Sequence, residues 1–131
     1  MAATWASRAT NLAPLLGIPF GLGAIHHVLA IMLPDPADSS TATRHGVFVG
    51  INLLFAALFG MRAKYTVFPA SALVAQQTYS HGSAFLQARA RGVIDGESLA
   101  VLVFLPVVLV VAIALVQTRA SSTSFWRGAE R

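Results

Sequence analysis

Residues 99–116 read LAVLVFLPVVLVVAIALV, a run without one charged or strongly hydrogen-bonding side chain. A helix needs about 20 mostly apolar residues to cross the hydrocarbon core of a bilayer, and with Ser98 and Gln117 at its ends this run reaches that length. We therefore predict a transmembrane helix over residues 98–117. Because it offers no polar group that would need a partner, we expect it to be the helix most exposed to lipid.

Three further windows have the length of a membrane span or nearly so, namely residues 12–33, 46–61 and 65–88. The second is short, but Arg44 and Arg62 can extend to the two interfaces, and the third is polar in its middle. The loops are short, so neighbouring helices are antiparallel. The predicted fold is all-α and integral to the membrane: a single domain over residues 1–131, built as a four-transmembrane-helix antiparallel bundle with an interfacial or disordered tail over residues 118–131.

The overall composition excludes a water-soluble globule. Of the 131 residues, 56% are hydrophobic and 11% charged, and the mean hydropathy is +0.68, far from the balance of soluble domains. The formal charge of +4 comes from basic residues scattered between apolar runs, so no nucleic-acid partner is expected. The chain has no cysteine, which excludes disulfides and thiolate metal sites.

The basic residues indicate the orientation in the bilayer. With a cytoplasmic N-terminus, the basic residues on the inside are Arg8, Arg62, Lys64, Arg119, Arg127 and Arg131. Those on the outside are only Arg44, Arg89 and Arg91. Because cytoplasmic loops carry an excess of Lys and Arg, we predict a multi-pass protein of a bacterial-type cell (inner) membrane with both termini in the cytoplasm. Trp5, Tyr65 and Trp126 then lie near the cytoplasmic interface, where such rings are enriched.

Polar side chains inside the predicted spans gather at one depth. Counting 1.5 Å of rise per residue from the outer end of each span places His26, Asn52 and His81 about 9–11 Å beneath the outer surface. Residues 76–81 read QQTYSH, a stretch that hydrocarbon would penalise, so we expect it to point inward. The predicted site is a polar pocket in the outer half of the bundle, lined by His26, His27, His45, Asn52, Gln76, Gln77, Tyr79, Ser80 and His81.

Three interpretations of this pocket stay open. The polar groups can be structural hydrogen-bonding contacts between helices, a pocket for a small molecule, or a metal or haem site. Because His26 and His27 differ by about 100° around the helix, only one of them faces the bundle. Two histidines on antiparallel helices could hold haem b, with Gly23 and Gly82 making room for the ring. Imidazole nitrogens also suit a divalent metal such as Zn²⁺ or Cu²⁺, and the candidate ligands are His26, His27, His45 and His81.

Two glycines of the first span have the spacing that allows close helix packing. Gly17 and Gly21 form a small-xxx-small pair, which lets two helix backbones approach, either inside one chain or between two copies. Pro19 lies between them and bends the surface that would pack. An internal helix contact is therefore favoured over self-association.

The absence of acidic residues from the predicted spans narrows the chemistry. It argues against proton-coupled antiport by an embedded carboxylate and against a dicarboxylate di-metal centre. Ser80 and His81 are adjacent, but neighbouring helix positions point in different directions and do not form a nucleophile–base pair. No catalytic residue is assigned.

The size and the four-span plan resemble those of the DoxX-like small membrane proteins and, more distantly, the sterol-isomerase type of membrane bundle. The resemblance covers the four spans and implies this architecture. The isomerase type relies on membrane-embedded acids, which the predicted spans lack, so its activity is not implied.

The leading functional interpretation is non-catalytic. We expect a small accessory subunit, or a binder of a small apolar ligand that is held by a polar end in the predicted pocket. Its partners would be the lipid bilayer, a small lipophilic ligand, and another membrane protein or further copies of itself. The alternative is a membrane enzyme or redox protein that uses the histidines as metal or haem ligands, or as general acid and base, on a lipophilic substrate.

Overall fold

The computed structural model describes residues 5–34 and 41–122, with side chains described up to residue 118, and this part of the chain is all-helical. Four α-helices follow one another along it: α1 (Trp5–Met32), α2 (Ala42–Gly60), α3 (Val67–Ala90) and α4 (Gly96–Ser122), with a 3₁₀ turn at Lys64–Thr66 before α3. The prediction of an all-α protein is confirmed. Most of the first loop and the tail from residue 123, with Trp126, lie outside the described residues.

Three of these helices are long and apolar enough to cross a membrane: α1, α2 and the Gly96–Thr118 part of α4. Helix α3 has ample length at 24 residues but fails on apolarity, because its central residues 76–81 are polar. Helix boundaries also differ from the prediction. Helix α2 starts at Ala42, where the Thr41 hydroxyl accepts the Arg44 N–H at 3.2 Å, and α4 continues into the predicted tail as far as Ser122.

Residues Asn11–Ala63 form one compact unit, in which α1 packs on α2. At Gly17 the two helices approach so closely that an added Cβ would lie 3.2 Å from the backbone oxygen of Ala56, whereas a Cβ at Gly21 would meet nothing within 4 Å. Of the two glycines, Gly17 therefore makes the tight internal contact. Phe20 of α1 stacks on Phe55 and Phe59 of α2, with ring centroids 5.1 and 5.7 Å apart.

The second unit comprises Met1–Thr10 and Lys64–Arg131, and within it α3 packs along α4. Helix α4 buries a broad face that includes Leu105, Val108, Ala112 and Leu115. Of its apolar window 33% is buried, against 17% in each of α1 and α2. The expectation that this helix is the most lipid-exposed stays a prediction, but its buried face shows that uniform apolarity is compatible with protein packing as well as with lipid.

The ends of α2 and α3 use the same type of C-terminal cap. Beyond α2, Arg62 has a left-handed backbone (φ 52°) and Ala63 N–H donates to the Leu58 carbonyl at 2.9 Å. Beyond α3, Gly92 has φ 75° and Val93 N–H donates to the Ala88 carbonyl at 3.0 Å. These bonds satisfy helix-end carbonyls and fold the chain back sharply.

The chain returns alongside α3 before α4 begins. His81 lies nine residues before the end of α3, yet it contacts Ser98, the third residue of α4. At 1.5 Å per residue, the last turns of α3 extend about 10 Å past the first residue of α4. The ends of these two helices are therefore staggered and not level.

Candidate functional sites

Two histidines meet where α1 and α2 pack together near the start of α2. The Nδ1 atoms of His27 and His45 are 3.0 Å apart, so one imidazole donates its Nδ1–H and the other accepts it. His45 is buried, and the ring of His27 also stacks on Phe48 at 5.1 Å between centroids. The neighbouring His26 is exposed. His27 is thus the member of the His26–His27 pair that faces α2.

Asn52 occupies the space beside Gly23. Its Nδ2 donates to the Phe48 carbonyl at 2.8 Å, and a Cβ placed on Gly23 would lie 2.6 Å from Asn52 Oδ1. The prediction that Gly23 makes room for a haem ring is therefore wrong, since the amide already fills that room. Gly82, by contrast, has nothing within 4 Å of an added Cβ.

Among the described residues, no three histidine or carboxylate side chains converge as a metal site requires. The two Nδ1 atoms of His27 and His45 are occupied by their mutual hydrogen bond. Binding of a metal or haem stays a prediction.

A second polar site lies in the α3–α4 unit and connects a carboxylate, a hydroxyl and an imidazole. The Ser98 Oγ–H donates to Asp95 Oδ2 at 2.6 Å, and Ser98 Oγ lies 3.1 Å from His81 Nδ1. Because the single hydroxyl hydrogen goes to the carboxylate, the Ser98 oxygen accepts the Nδ1–H of His81. Neutral His81 then keeps its lone pair on Nε2.

This chain of hydrogen bonds suits a positioned base and not a serine nucleophile. Ser98 is 3% exposed, so its oxygen is closed to substrate, and it links Asp95 to the imidazole. A fixed acceptor on Nδ1–H sets the tautomer and the orientation of a histidine ring, as the partners of metal-binding and catalytic histidines do. The arrangement can present His81 Nε2 to a hydroxyl proton or to a metal ion.

Sequence reasoning missed Asp95 and Ser98. From the sequence alone Asp95 is an ordinary loop residue, whereas in the structure its Oδ1 accepts the Ser98 N–H at 3.0 Å as the N-cap of α4. The available signal was an aspartate directly before a long apolar helix, which is a strong N-cap pattern. The contact with His81, 17 positions earlier, had no local signal because it depends on the staggered helix ends.

The hydrogen bond from the Ser98 hydroxyl, followed by the one from the Ser98 N–H, holds the pKa of Asp95 below its ordinary value of 3.8, and the charge of His81 acts in the same direction. A carboxyl with a lowered folded-state pKa stabilises the fold fully above its unfolded pKa, and that stabilisation is lost as the pH falls through the folded-state value.

We expect Asp95→Asn, which keeps a capping side chain but does not titrate, to flatten the loss of thermal stability below about pH 3.8. Melting curves of both proteins between pH 6 and 2 check this, and parallel acid-induced losses would contradict it.

The structure divides the remaining predicted pocket residues between two faces of α3. Gln77 and Ser80 are half-buried, and Ser80 Oγ–H donates to the Gln77 carbonyl at 3.4 Å. Gln76 is exposed, and Tyr79 is 80% exposed. The placement of all nine residues in one pocket stays a prediction.

An open apolar groove of about 540 Å³ lies between α1 and α2. It is lined on α1 by Ile18, Gly21, Leu22, Ala24, Ile25, Val28 and Leu29, and on α2 by Val49 and Leu53. None of the nine predicted pocket residues lines this groove. The groove can take hydrocarbon but offers no hydrogen bond to a polar group.

Comparison of the chain with models of known families, with characterised proteins and with solved structures finds no match. The features that bear on function are therefore the two polar sites and the groove.

Proposed function

We propose that the protein is a non-catalytic four-span protein of the cell membrane, with both termini in the cytoplasm, that binds one hydrocarbon chain of a lipophilic molecule. The observation that carries this proposal is the α1–α2 groove, which is apolar along its whole length and lined by side chains that stand exposed, such as Leu22 and Leu53. Such a protein can serve a larger membrane complex as an accessory subunit that holds a lipid or delivers a lipophile.

The length of the groove suits an extended hydrocarbon chain. From Ile18 to Leu29 it runs along α1 for about 16 Å, and its volume is about 540 Å³. The volume also falls within the range of ordinary ligand pockets.

The four-span arrangement requires α3 to cross the membrane despite its polar centre. Its face toward α4 supports this, because His81 is hydrogen-bonded to Ser98 and Ala70 and Ala88 are buried. Polar side chains within a bilayer are tolerated where they face protein. Both termini then lie on the same side, in agreement with the excess of basic residues there.

The proposal can be tested by filling the groove with a larger side chain of the protein itself. A Cβ at Gly21 meets nothing within 4 Å, so Gly21→Leu should fold normally and place its side chain in the groove. In nanodiscs, a diazirine-bearing fatty acid should crosslink to groove residues of the unaltered protein, and excess unlabelled fatty acid should suppress this. We expect at least a fivefold loss of labelling in Gly21→Leu.

The matched control is Gly50→Leu, at a helical glycine of α2 that also has open space but does not line the groove. Its labelling should equal that of the unaltered protein. Labelling that resists the competitor, or that falls equally in both variants, would show ordinary contact with bulk lipid and remove the proposal.

The Asp95–Ser98–His81 chain favours a second candidate function, a membrane enzyme that uses His81 as a general base on a lipophilic substrate. His81 Nε2 would accept a proton from a substrate hydroxyl, and the resulting imidazolium would be stabilised by Asp95 through Ser98. Conversion of hydroxyl-bearing lipids, followed by mass spectrometry, should then stop in His81→Ala while the fold is retained. Equal product profiles for the two proteins would exclude this function.

A further inference from the structure

We infer that the paired imidazoles of His27 and His45 form a pH-sensitive latch, which holds α1 against α2 and opens when the medium becomes acidic. The pair lies within one compact unit, Asn11–Ala63, and joins the two helices through a hydrogen bond of 3.0 Å between the Nδ1 atoms. We call this pair the histidine latch. As a means of regulating the α1–α2 groove, it rests on the proposed binding of a hydrocarbon chain there.

The hydrogen bond of the latch tolerates only one proton between the two facing nitrogens. With both imidazoles neutral, one Nδ1 carries a hydrogen and the other offers its lone pair. A first added proton goes to Nε2 of the donor ring and leaves this bond in place. A second would put hydrogens on both Nδ1 atoms, which at 3.0 Å leaves only about 1 Å between the two hydrogens. The doubly protonated pair must therefore separate.

The charged and titratable groups that face the latch, within the described part of its unit, act in the same direction. On α1, the exposed ring of His26 lies edge-on to His27, with 5.3 Å between centroids. On α2, the Arg44 guanidinium lies 5.9 Å from the centroid of the Phe48 ring, which itself stacks on His27 at 5.1 Å. An arginine and a protonated histidine are both cations, so neither of them stabilises a second positive charge on the pair.

The latch lies where protons can reach it from the aqueous side. His27 is five residues before the end of α1, and His45 is the fourth residue of α2, so the pair lies within about 8 Å of both helix ends. His27 is only half-buried, and its neighbour His26 is exposed. Histidine is the side chain that ordinarily changes charge between pH 5 and 8, and histidine clusters switch protein interfaces in this range.

The latch also sets the spacing of the two walls of the groove. Val28 and Val49 both line the groove. Val28 directly follows His27, and Val49 comes one turn after His45. When the latch opens, a bound hydrocarbon chain loses contact with one wall, and a gap of about 0.5–1 Å already removes a large part of the packing attraction. Acid should therefore release the chain from the groove.

Distance measurement by double electron–electron resonance tests the latch in the full chain. The protein has no cysteine, so Met32→Cys on α1 and Val47→Cys on α2, both exposed, can carry a pair of nitroxide labels in nanodiscs. Water entering between the rings puts two hydrogen bonds in place of one, so the mean label distance should grow by about 2–3 Å from pH 8 to pH 5. His45→Asn, whose amide can bond to His27 but does not titrate, should abolish this change.

The matched control is His26→Asn, because His26 is a neighbouring but exposed imidazole. This variant should keep the response to pH. The double variant Asp35→Asn, Asp38→Asn removes the carboxylates of the first loop, which lie outside the described residues, and should keep the response as well. A constant distance in the unaltered protein, a response lost in either control, or one retained in His45→Asn would overturn the latch. Should His45→Asn fail to insert, His27→Asn provides the same test.

Photolabelling of the groove separates the latch from the proposed binding. A diazirine-bearing fatty alcohol, which does not titrate in this range, should label the unaltered protein at least threefold less at pH 5 than at pH 8. It should label His45→Asn equally at both. No specific labelling at any pH, together with the distance change, would refute the groove proposal alone. Normal labelling with a constant distance would refute the latch alone. A distance change with equal labelling at both pH values would refute the regulation of the groove.

Discussion

Gly17→Leu is expected to lower the free energy of unfolding by about 2–3 kcal/mol, at the upper end of the cost of overpacking. The Cβ alone would lie 3.2 Å from the Ala56 backbone oxygen, and a helix backbone cannot rotate aside as a side chain can. In a bilayer, helices are held together mainly by packing and hydrogen bonds. Separating α1 from α2 by even a fraction of an ångström therefore removes much of what holds them together.

The measurement is an SDS titration of the purified protein in mixed micelles, followed by circular dichroism. Gly21→Leu is the matched control, because the same substitution one helical turn later meets open space. Gly21→Leu should change the SDS concentration at the midpoint of unfolding only slightly. Equal shifts for both variants would mean that the cost comes from leucine in this helix and not from the contact with α2.

Phe59→Ala is expected to destabilise the α1–α2 unit by about 3 kcal/mol, at the lower end of the cost of removing a buried phenylalanine ring. Phe59 is fully buried, and its ring lies 5.7 Å from that of Phe20 and 6.2 Å from that of Phe55. Because lipid is as apolar as this core, moving the ring between them contributes little free energy. The loss of stability arises from the cavity and the broken ring contacts.

The control for this variant is Leu54→Ala on the same helix, since Leu54 is 51% exposed and loses little packing. The same SDS titration should show a shift several times smaller for Leu54→Ala. A shift as large as that of Phe59→Ala would mean that α2 responds to helix propensity or lipid contact and not to the aromatic cluster.

The helices themselves could be predicted because their signal is local. The apolar run at 99–116 and the short polar loops determine the helical class and the approximate position of each helix. The helix ends are less well predicted, since α1 begins at Trp5 and not at residue 12, and α4 ends at Ser122 and not at residue 117. The orientation of helix α3 could not be predicted in this way. Its residues 76–81 are polar on the half-buried side as well as on the exposed side. Composition alone does not tell which side meets α4 and which stands exposed.

The sites were less predictable because each depends on a contact between helices. The choice of His27 over His26 follows from the rotation of α1 against α2, and the contact of His81 with Ser98 follows from the stagger of α3 and α4. The groove had no polar residue to draw attention to it. It lies between α1 and α2 and depends on how the two helices pack, which no periodicity in either helix records.

In the proposed four-span arrangement, the stagger of α3 and α4 also shapes the surface on the side where these two helices are joined. With the first turn of α4 at the edge of the hydrocarbon, the last turns of α3 would extend about 10 Å beyond it. Arg89 lies in these turns and Arg91 follows directly after them, and both are exposed. A protruding stub with two arginines is open to trypsin, which cannot cross a bilayer. Cleavage of intact cells or sealed vesicles at this stub thus reports directly which way round the molecule is inserted, with no label or tag.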